Sequence, residues 1–181
     1  MAIKTFTTGE VLTASDTNTY LANSGLVYVT SATVGTAVSS VTISSAFNST
    51  YDSYKIIYDG GVASTLLTLS LTLGASTAGY NMALPFVTYG SGVASGTSLS
   101  GATAWSLAGY GTTNFVGFNF DLASPNLARY TRCQGAYIAE NEAGGYFGIH
   151  KVATAYTSFT IATSSGTITG GTIQVYGYRK G

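Results

Sequence analysis

The chain has 181 residues, a formal net charge of zero and only 8% charged residues. Its solubility is therefore expected to come from neutral polar groups. The zero net charge argues against a DNA or RNA partner, because phosphate-backbone binding normally needs a basic stripe. The single cysteine, Cys133, excludes an internal disulfide and is expected to be a small core residue. No stretch approaches the ~18 consecutive apolar residues of a membrane helix, so we predict neither an export signal nor membrane insertion.

The composition favours a β-rich protein that lives in an assembly. The chain contains 21 Ser, 28 Thr and 23 Gly, and no Asp, Glu, Lys or Arg lies between Asp59 and Asp121. Hydroxyl-covered strands joined by tight turns suit such a sequence. Interface cores are depleted of charge, so we expect the uncharged region to supply a homo-oligomer contact.

The first predicted element is a short helix within residues 11–25. Thr13 and Asp16 have the spacing of an N-capping box, and Gly25 follows the last apolar residue. Thr and Asn are indifferent helix formers, so this helix should need a docking surface, which another subunit could supply. We predict residues 1–25 to be an N-terminal anchoring segment and residues 26–181 to be a β-sandwich domain. The expected apolar contacts of the helix are Val11, Leu12, Tyr20 and Leu21.

From Leu26 onward the apolar period changes to two, most plainly in Leu67–Leu73, where leucines alternate with hydroxyl residues. Eight or more strands are predicted. Turn residues at 59–61, 74–79, 124–126, 141–145 and 164–166 separate them, and no long helical pattern intervenes, which disfavours a parallel arrangement. We expect an all-β fold, an antiparallel β-sandwich that is jelly-roll-like. The other predicted strands cover 26–34, 38–43, 54–58, 115–122, 136–138, 159–163 and 172–178.

Residues 89–113 are interpreted as an elaborated loop, because six glycines are scattered there among Ser, Thr and Ala. A flexible linker is the alternative. However, Trp105 at the centre needs a packing partner, which linkers rarely provide. We therefore predict that Tyr89, Trp105 and Tyr110 form an oligomer or ligand contact.

Catalytic and metal patterns are weak. The single histidine, His150, has no G-x-S-x-G nucleophile elbow and no recognisably spaced acid, so a hydrogen-bonded strand histidine is favoured over a catalytic base. Glu140 and Glu142 could offer oxygens to calcium, but a charged turn explains them as well. We predict no enzyme activity, metal or cofactor.

A glycan-binding interpretation has more support. Fourteen tyrosines and Trp105 supply flat amphipathic faces of the kind that suit concave binding sites. Most of these tyrosines lie at strand positions, where packing at the core edge is the ordinary role.

The string from Lys4 to Leu21 carries the pattern F-T-x-G-x-x-L-T-A-x-x-x-N. This pattern resembles a signature that opens many tailed-bacteriophage structural proteins, and the closing residues 168–179 are similar to the final strand of virion proteins from aquatic phages. The resemblance implies a virion component, and we take Phe6 as a further anchor residue. In this sequence the pattern is carried by Phe6, Thr7, Gly9, Leu12, Thr13, Ala14 and Asn18.

We therefore expect a non-enzymatic virion protein that is synthesised in the host cytoplasm and exposed on the particle. A capsid-surface decoration, cement or head-fibre role is favoured, because the chain has no repeat or coiled coil for a long shaft. The alternative is a tail-associated or receptor-binding protein. A polysaccharide-degrading enzyme would need paired carboxylates, and the chain has only seven acids. Expected partners are capsid or tail proteins, further copies in a homotrimer, and a host surface glycan.

Overall fold

The computed structural model describes residues 6–17 and 25–180. Over these residues the chain is almost entirely β, with one three-residue helix, α1 (Ala14–Asp16). The strands are β1 (Leu26–Thr33), β2 (Ser40–Ile43), β3 (Ser53–Ala63), β4 (Leu67–Leu73), β5 (Tyr80–Thr88), β6 (Ala94–Ala102), β7 (Trp105–Gly111), β8 (Val116–Ala123), β9 (Thr131–Ile138), β10 (Glu142–His150), β11 (Phe159–Thr163) and β12 (Ile168–Tyr178).

The strands form two antiparallel layers joined by hydrogen bonds. The long layer runs β1-β12-β3-β8-β9-β10-β5-β6, and the short layer runs β2-β11-β4-β7. Strand β8 links the layers, because β7 pairs with its first residues while β9 pairs with the remainder on the same side. The prediction of an all-β antiparallel sandwich is confirmed at the level of a sandwich-like fold.

One hydrophobic core fills the space between the layers. The four leucines of β4 are at most 1% exposed, whereas the intervening Thr and Ser residues are half-buried. This is the alternation predicted for Leu67–Leu73. The observed strand begins and ends at the predicted residues. The long layer contributes large aromatic residues to the same core, including Tyr54, Tyr58, Phe120 and Tyr146.

Glycines on the inner side of β9 and β10 make room for the rings of Phe120 and Trp105. A Cβ on Gly148 would lie 2.7 Å from Trp105 Nε1, and a Cβ on Gly135 would lie 2.4 Å from Cδ1 of Phe120. Real Cβ atoms do not approach that closely. Large aromatic residues and facing glycines are therefore complementary parts of one close-packed core.

The predicted loop at residues 89–113 is wrong, because this region forms β6 and β7. Strand β6 is poor in β-branched residues and lies at the edge of the long layer, so it lacks the pattern of a half-buried strand. The predicted turn at 141–145 is also too long, since Glu142 already begins β10. The predicted turn at 59–61 is a bulge within β3, where the register with β8 shifts and Gly60 has φ +78°.

The predicted capping box is confirmed. Thr13 Oγ1 accepts a hydrogen bond from the Asp16 backbone N at 3.1 Å, and Asp16 Oδ2 accepts one from the Thr13 backbone N at 3.2 Å. Helix α1 ends at Asp16. Tyr20 and Leu21, two of the predicted anchors, lie outside the described residues.

Candidate functional site

A groove of about 910 Å³ lies on the outward face of the long layer. Its floor is formed by residues of β5, β10, β9 and β8 that alternate with buried core residues on the same strands. A second depression of about 390 Å³ shares Asp121, Gln134 and Phe147 with it. The two depressions therefore form one continuous surface, called here the outer groove.

The strand register places the groove residues in a row across the sheet. Phe147 is paired with Gln134, Gln134 with Asp121, and Asp121 with Lys55. Directly opposed side chains on one face of an antiparallel pair lie close enough to contact one ligand together. The full row is Ala83, Phe147, Gln134, Asp121, Lys55, Tyr176 and Tyr28.

Asp121 is the only carboxylate among the residues that line the outer groove. Its Oδ1 lies 3.5 Å from Lys55 Nζ and accepts a hydrogen bond from the Tyr178 hydroxyl. Loss of hydration and the adjacent carboxylate raise the pKa of Tyr178 to about 12, so this hydroxyl is a donor at neutral pH. Within the described part of the chain Oδ2 accepts no hydrogen bond. One carboxylate oxygen is thus fixed and the other can bind a ligand.

Three exposed polar side chains of the outer groove make no hydrogen bond to any described residue: Asn119, Arg132 and Gln134. No carboxylate of the described residues lies within 4 Å of the Arg132 guanidinium. Two carboxamides and one guanidinium are therefore available to a ligand, and together they offer both donors and acceptors.

An exposed aromatic ring borders these polar groups. Phe147 is 51% exposed, although it lies in the middle of β10. Its ring leans over Gly145, where a Cβ would lie 2.9 Å from Phe147 Cε2. Gly145 therefore lets the ring rest against the sheet. Tyr178, which is 36% exposed, lines the other side of the groove.

This combination suits a ligand that carries both hydroxyl groups and apolar ring faces. Aromatic surface supplies contact area, and carboxamide, carboxylate and guanidinium groups supply orientation. Hydrolysis of a glycoside would ordinarily require two carboxyl groups on opposite sides of the scissile bond. The outer groove has one, and that one is engaged by Lys55 and Tyr178. These residues offer a ligand aromatic contact area together with hydrogen-bond donors and acceptors.

His150 is a hydrogen-bonded strand histidine, as predicted. It is 0% exposed at the end of β10, and its Nε2 lies 2.8 Å from the Tyr156 hydroxyl and 3.2 Å from Ser76 Oγ. Its ring stacks on Tyr80 with ring centroids 4.1 Å apart. Burial lowers the pKa of His150, so the imidazole is neutral in the folded protein at pH 7. Nδ1 has no hydrogen-bond partner among the described residues, so the acid of a catalytic triad is missing there.

The predicted contact of Tyr89, Trp105 and Tyr110 does not exist as one surface. Trp105 is 0% exposed, and its Nε1 donates to the Asn81 carbonyl oxygen at 3.2 Å. Tyr110 is 8% exposed and belongs to the core cluster. Both residues are core components because β7 faces the long layer across the sandwich. Only Tyr89 is at the surface, 55% exposed just after β5.

The described anchor residues lie at the surface. Phe6 is 39% exposed, Val11 79% and Leu12 49%. The core cluster contains no residue of the described segment 6–17. These apolar side chains are consequently accessible to another molecule.

The sequence prediction missed the outer-groove residues, although a signal for them exists. In Phe118–Leu122, apolar residues alternate with Asn119 and Asp121, which places both polar side chains on the outward face. Arg132 and Gln134 alternate in the same way around Cys133. The pairing of β8 with β9, which brings the two sets together, cannot be read from either pattern alone.

Fold and groove together define a sandwich-like all-β module with a polar and aromatic outer groove. Comparison of the chain with protein-family models, with curated proteins and with solved structures found no match. Within residues 6–17 and 25–180, no helix has the length and apolar character needed to cross a membrane. The same residues contain no group of three His, Cys, Asp or Glu side chains that could hold a metal ion.

Proposed function

We propose that this chain is a non-enzymatic structural protein of a tailed-bacteriophage virion, a capsid-surface decoration, cement or head-fibre protein. In this proposal the N-terminal segment binds another virion protein and the sandwich is displayed on the particle surface. Support comes from the resemblance of residues 4–21 to phage structural proteins and from the location of the described anchor residues outside the core.

The observation that carries the proposal is the separation of anchor and core. All the fully buried side chains of the described chain lie at or beyond Val34, whereas Val11 and Leu12 are exposed. Exposed apolar side chains grouped on a short segment are typical of a binding site for another protein. Anchoring through Phe6, Val11 and Leu12 would bury them without disturbing the sandwich.

Deletion of residues 1–24 tests this separation. The shortened protein should keep its β circular dichroism spectrum and a cooperative thermal transition, yet fail to enter particles. Leu12→Asp in the full chain should also abolish incorporation. Thr8→Asp is the matched control, because it adds the same charge at an exposed polar position of the same segment. Loss of the fold on deletion, or normal incorporation of Leu12→Asp, would refute the anchor.

A tail-associated or receptor-binding role is the second candidate, and the outer groove favours it. A cement protein needs no exposed groove with unengaged polar side chains beside an aromatic ring. Surface glycans of the host are the partners that such a groove suits. A particle reconstruction that locates the chain on the head or on the tail decides between the two roles.

Self-association, with a homotrimer as the proposed state, requires a different contact from the predicted one. Strand β6 is an edge strand that pairs only with β5 in the described structure, and it carries no charged residue. Uncharged edges readily pair with another chain. Apolar side chains are exposed on and near this hairpin, at Val87, Tyr89, Val93 and Leu99.

Light scattering coupled to size exclusion tests this contact. Val93→Asp should convert the oligomer into a monomer, because a carboxylate would be buried at the contact. Leu66→Asp is the control, since Leu66 is comparably exposed but lies outside the β5–β6 hairpin. A monomeric wild type at micromolar concentration, or an unchanged oligomer in Val93→Asp, would exclude it.

A further inference from the structure

We infer that the outer groove binds an acidic saccharide, with its carboxylate on the Arg132 guanidinium and a sugar ring against Phe147. The inference rests on the receptor-binding form of the proposed function and specifies its ligand class. Three observations carry it: the charge of the groove, the free hydrogen-bonding groups, and the placement of the aromatic ring.

The groove has an unbalanced positive charge. Its charged lining residues are Lys55, Asp121 and Arg132. Lys55 and Asp121 are paired at 3.5 Å, whereas Arg132 has no carboxylate of the described chain within reach. Arg132 is thus the charge that a ligand would neutralise. A guanidinium presents a planar fork of donors that matches a carboxylate bidentately.

The neighbouring side chains suit sugar hydroxyls. Gln134 lies between Phe147 and Asp121 in the cross-strand row, and its carboxamide makes no hydrogen bond to a described residue. It can donate to one hydroxyl and accept from another. Asp121 Oδ2 adds a charged acceptor beside it. Vicinal hydroxyls of a pyranose ring supply the matching donors and acceptors.

Phe147 and Arg132 are diagonal neighbours on β10 and β9. Phe147 is paired with Gln134, and Arg132 with Ile149 two residues further along β10. Diagonal residues on one sheet face lie ~7–8 Å apart at Cα, within reach of aromatic and long side chains. One acidic sugar unit can therefore contact the phenyl ring with its apolar face while its carboxylate meets the guanidinium.

The inference is tested by comparing the affinity of the protein for an acidic saccharide with its affinity for the neutral methyl ester of the same saccharide. Full-length protein is applied to an array of uronate- and sialate-bearing oligosaccharides, each paired with its carboxyl methyl ester, and affinities are then measured by calorimetry. The acid forms should bind at least about tenfold more tightly, because only a carboxylate forms charge-assisted hydrogen bonds with the guanidinium. Added NaCl should weaken the acid forms selectively.

Variants separate the two contacts. Arg132→Gln should bind acids and esters equally, with the ester affinity of the wild type. Phe147→Ala should weaken both forms. Lys151→Gln is the matched control, because it removes one exposed positive charge that does not line the groove, and it should behave as the wild type.

The outcomes distinguish this inference from the proposed function. Equal wild-type binding of acids and esters, or a retained acid preference in Arg132→Gln, overturns the acidic-ligand assignment and leaves glycan binding intact. Binding of no saccharide by the wild type overturns both the assignment and the receptor-binding candidate. The decoration proposal depends on the N-terminal anchor and is unaffected by either result.

Discussion

Gly145 and Phe147 lie two residues apart on the outward face of β10, and the phenyl ring of Phe147 occupies the space that a side chain at position 145 would need. The aromatic surface of the outer groove therefore depends on a residue that has no side chain. The neighbouring Gly144 has a different environment, because a Cβ there would lie 2.0 Å from the backbone oxygen of Pro85.

Gly145→Ala should weaken saccharide binding severalfold without loss of stability. The added Cβ displaces the flexible end of Phe147, while alanine in a strand is favoured over glycine by about 0.5–1 kcal/mol. Gly144→Ala should instead lower the free energy of unfolding, because its Cβ meets a backbone atom that cannot move away. Urea denaturation and calorimetric titration of both variants check this contrast. Equal effects of the two substitutions would contradict it.

Acid should destabilise the fold through His150. Burial holds its pKa below 6.5 in the folded protein, so below about pH 6.5 the unfolded chain binds a proton that the folded chain does not. The free energy of unfolding then falls as the pH falls, by up to about 1.4 kcal/mol per pH unit, until the pH reaches the folded-state pKa. The rings that face His150 are those of Tyr80, Tyr156 and Trp105.

The measurement is the unfolding free energy of wild type and His150→Gln between pH 5 and pH 8. The variant loses the imidazole, so its slope below pH 6.5 should be shallower than that of the wild type. Slopes are compared instead of absolute stabilities, because the substitution also alters packing. Parallel slopes would show that His150 is not the group responsible.

The Cys133 thiol should be unreactive in the folded protein. It is 5% exposed, and burial raises its pKa, so little thiolate forms. Ellman's reagent at pH 8 should modify it only in denaturant. A Ser165→Cys variant is the positive control, because Ser165 is exposed between β11 and β12 and its thiol should react at once. Rapid modification of the native wild type would place Cys133 at the surface.

Trp105 should contribute to stability and Tyr89 should not. Trp105→Ala removes a fully buried indole and its hydrogen bond to the Asn81 carbonyl, which should cost about 3–5 kcal/mol of unfolding free energy. Tyr89→Ala at an exposed site should change it by no more than about 0.5 kcal/mol. Urea denaturation of the monomeric Val93→Asp background keeps self-association out of the comparison. Similar losses for both would contradict the core assignment of Trp105.

The sequence indicated the strands that are half-buried. In β4 one face meets the core and the other meets solvent, so the period of two is complete and the predicted bounds are those observed. In β6 nearly every residue is exposed, so no alternation exists to be detected. In β10 the glycines that accommodate Phe147, Trp105 and Cys133 resemble turn residues when the tertiary partners are unknown.

The residues of the candidate site were harder to predict for a related reason. Trp105 stood out in the sequence because it is the only tryptophan, yet its location in the core follows from the pairing of β7 with β4. Asp121, Gln134 and Phe147 are unremarkable singly and are separated by many residues. They become a site only because β8, β9 and β10 are adjacent in register.

Strand β12 lies between β1 and β3, and it pairs with β3 over residues 168–177 and with β1 over residues 172–178. During synthesis, β1 and β3 leave the ribosome long before residues 168–178 exist. Neither strand can therefore form its hydrogen bonds with β12 until the end of translation of these residues. A nascent chain arrested before β12 would present two open strand edges, a state prone to intermolecular pairing. Folding must be completed after translation of the last strand, and the many pairings between distant residues should make that step slow.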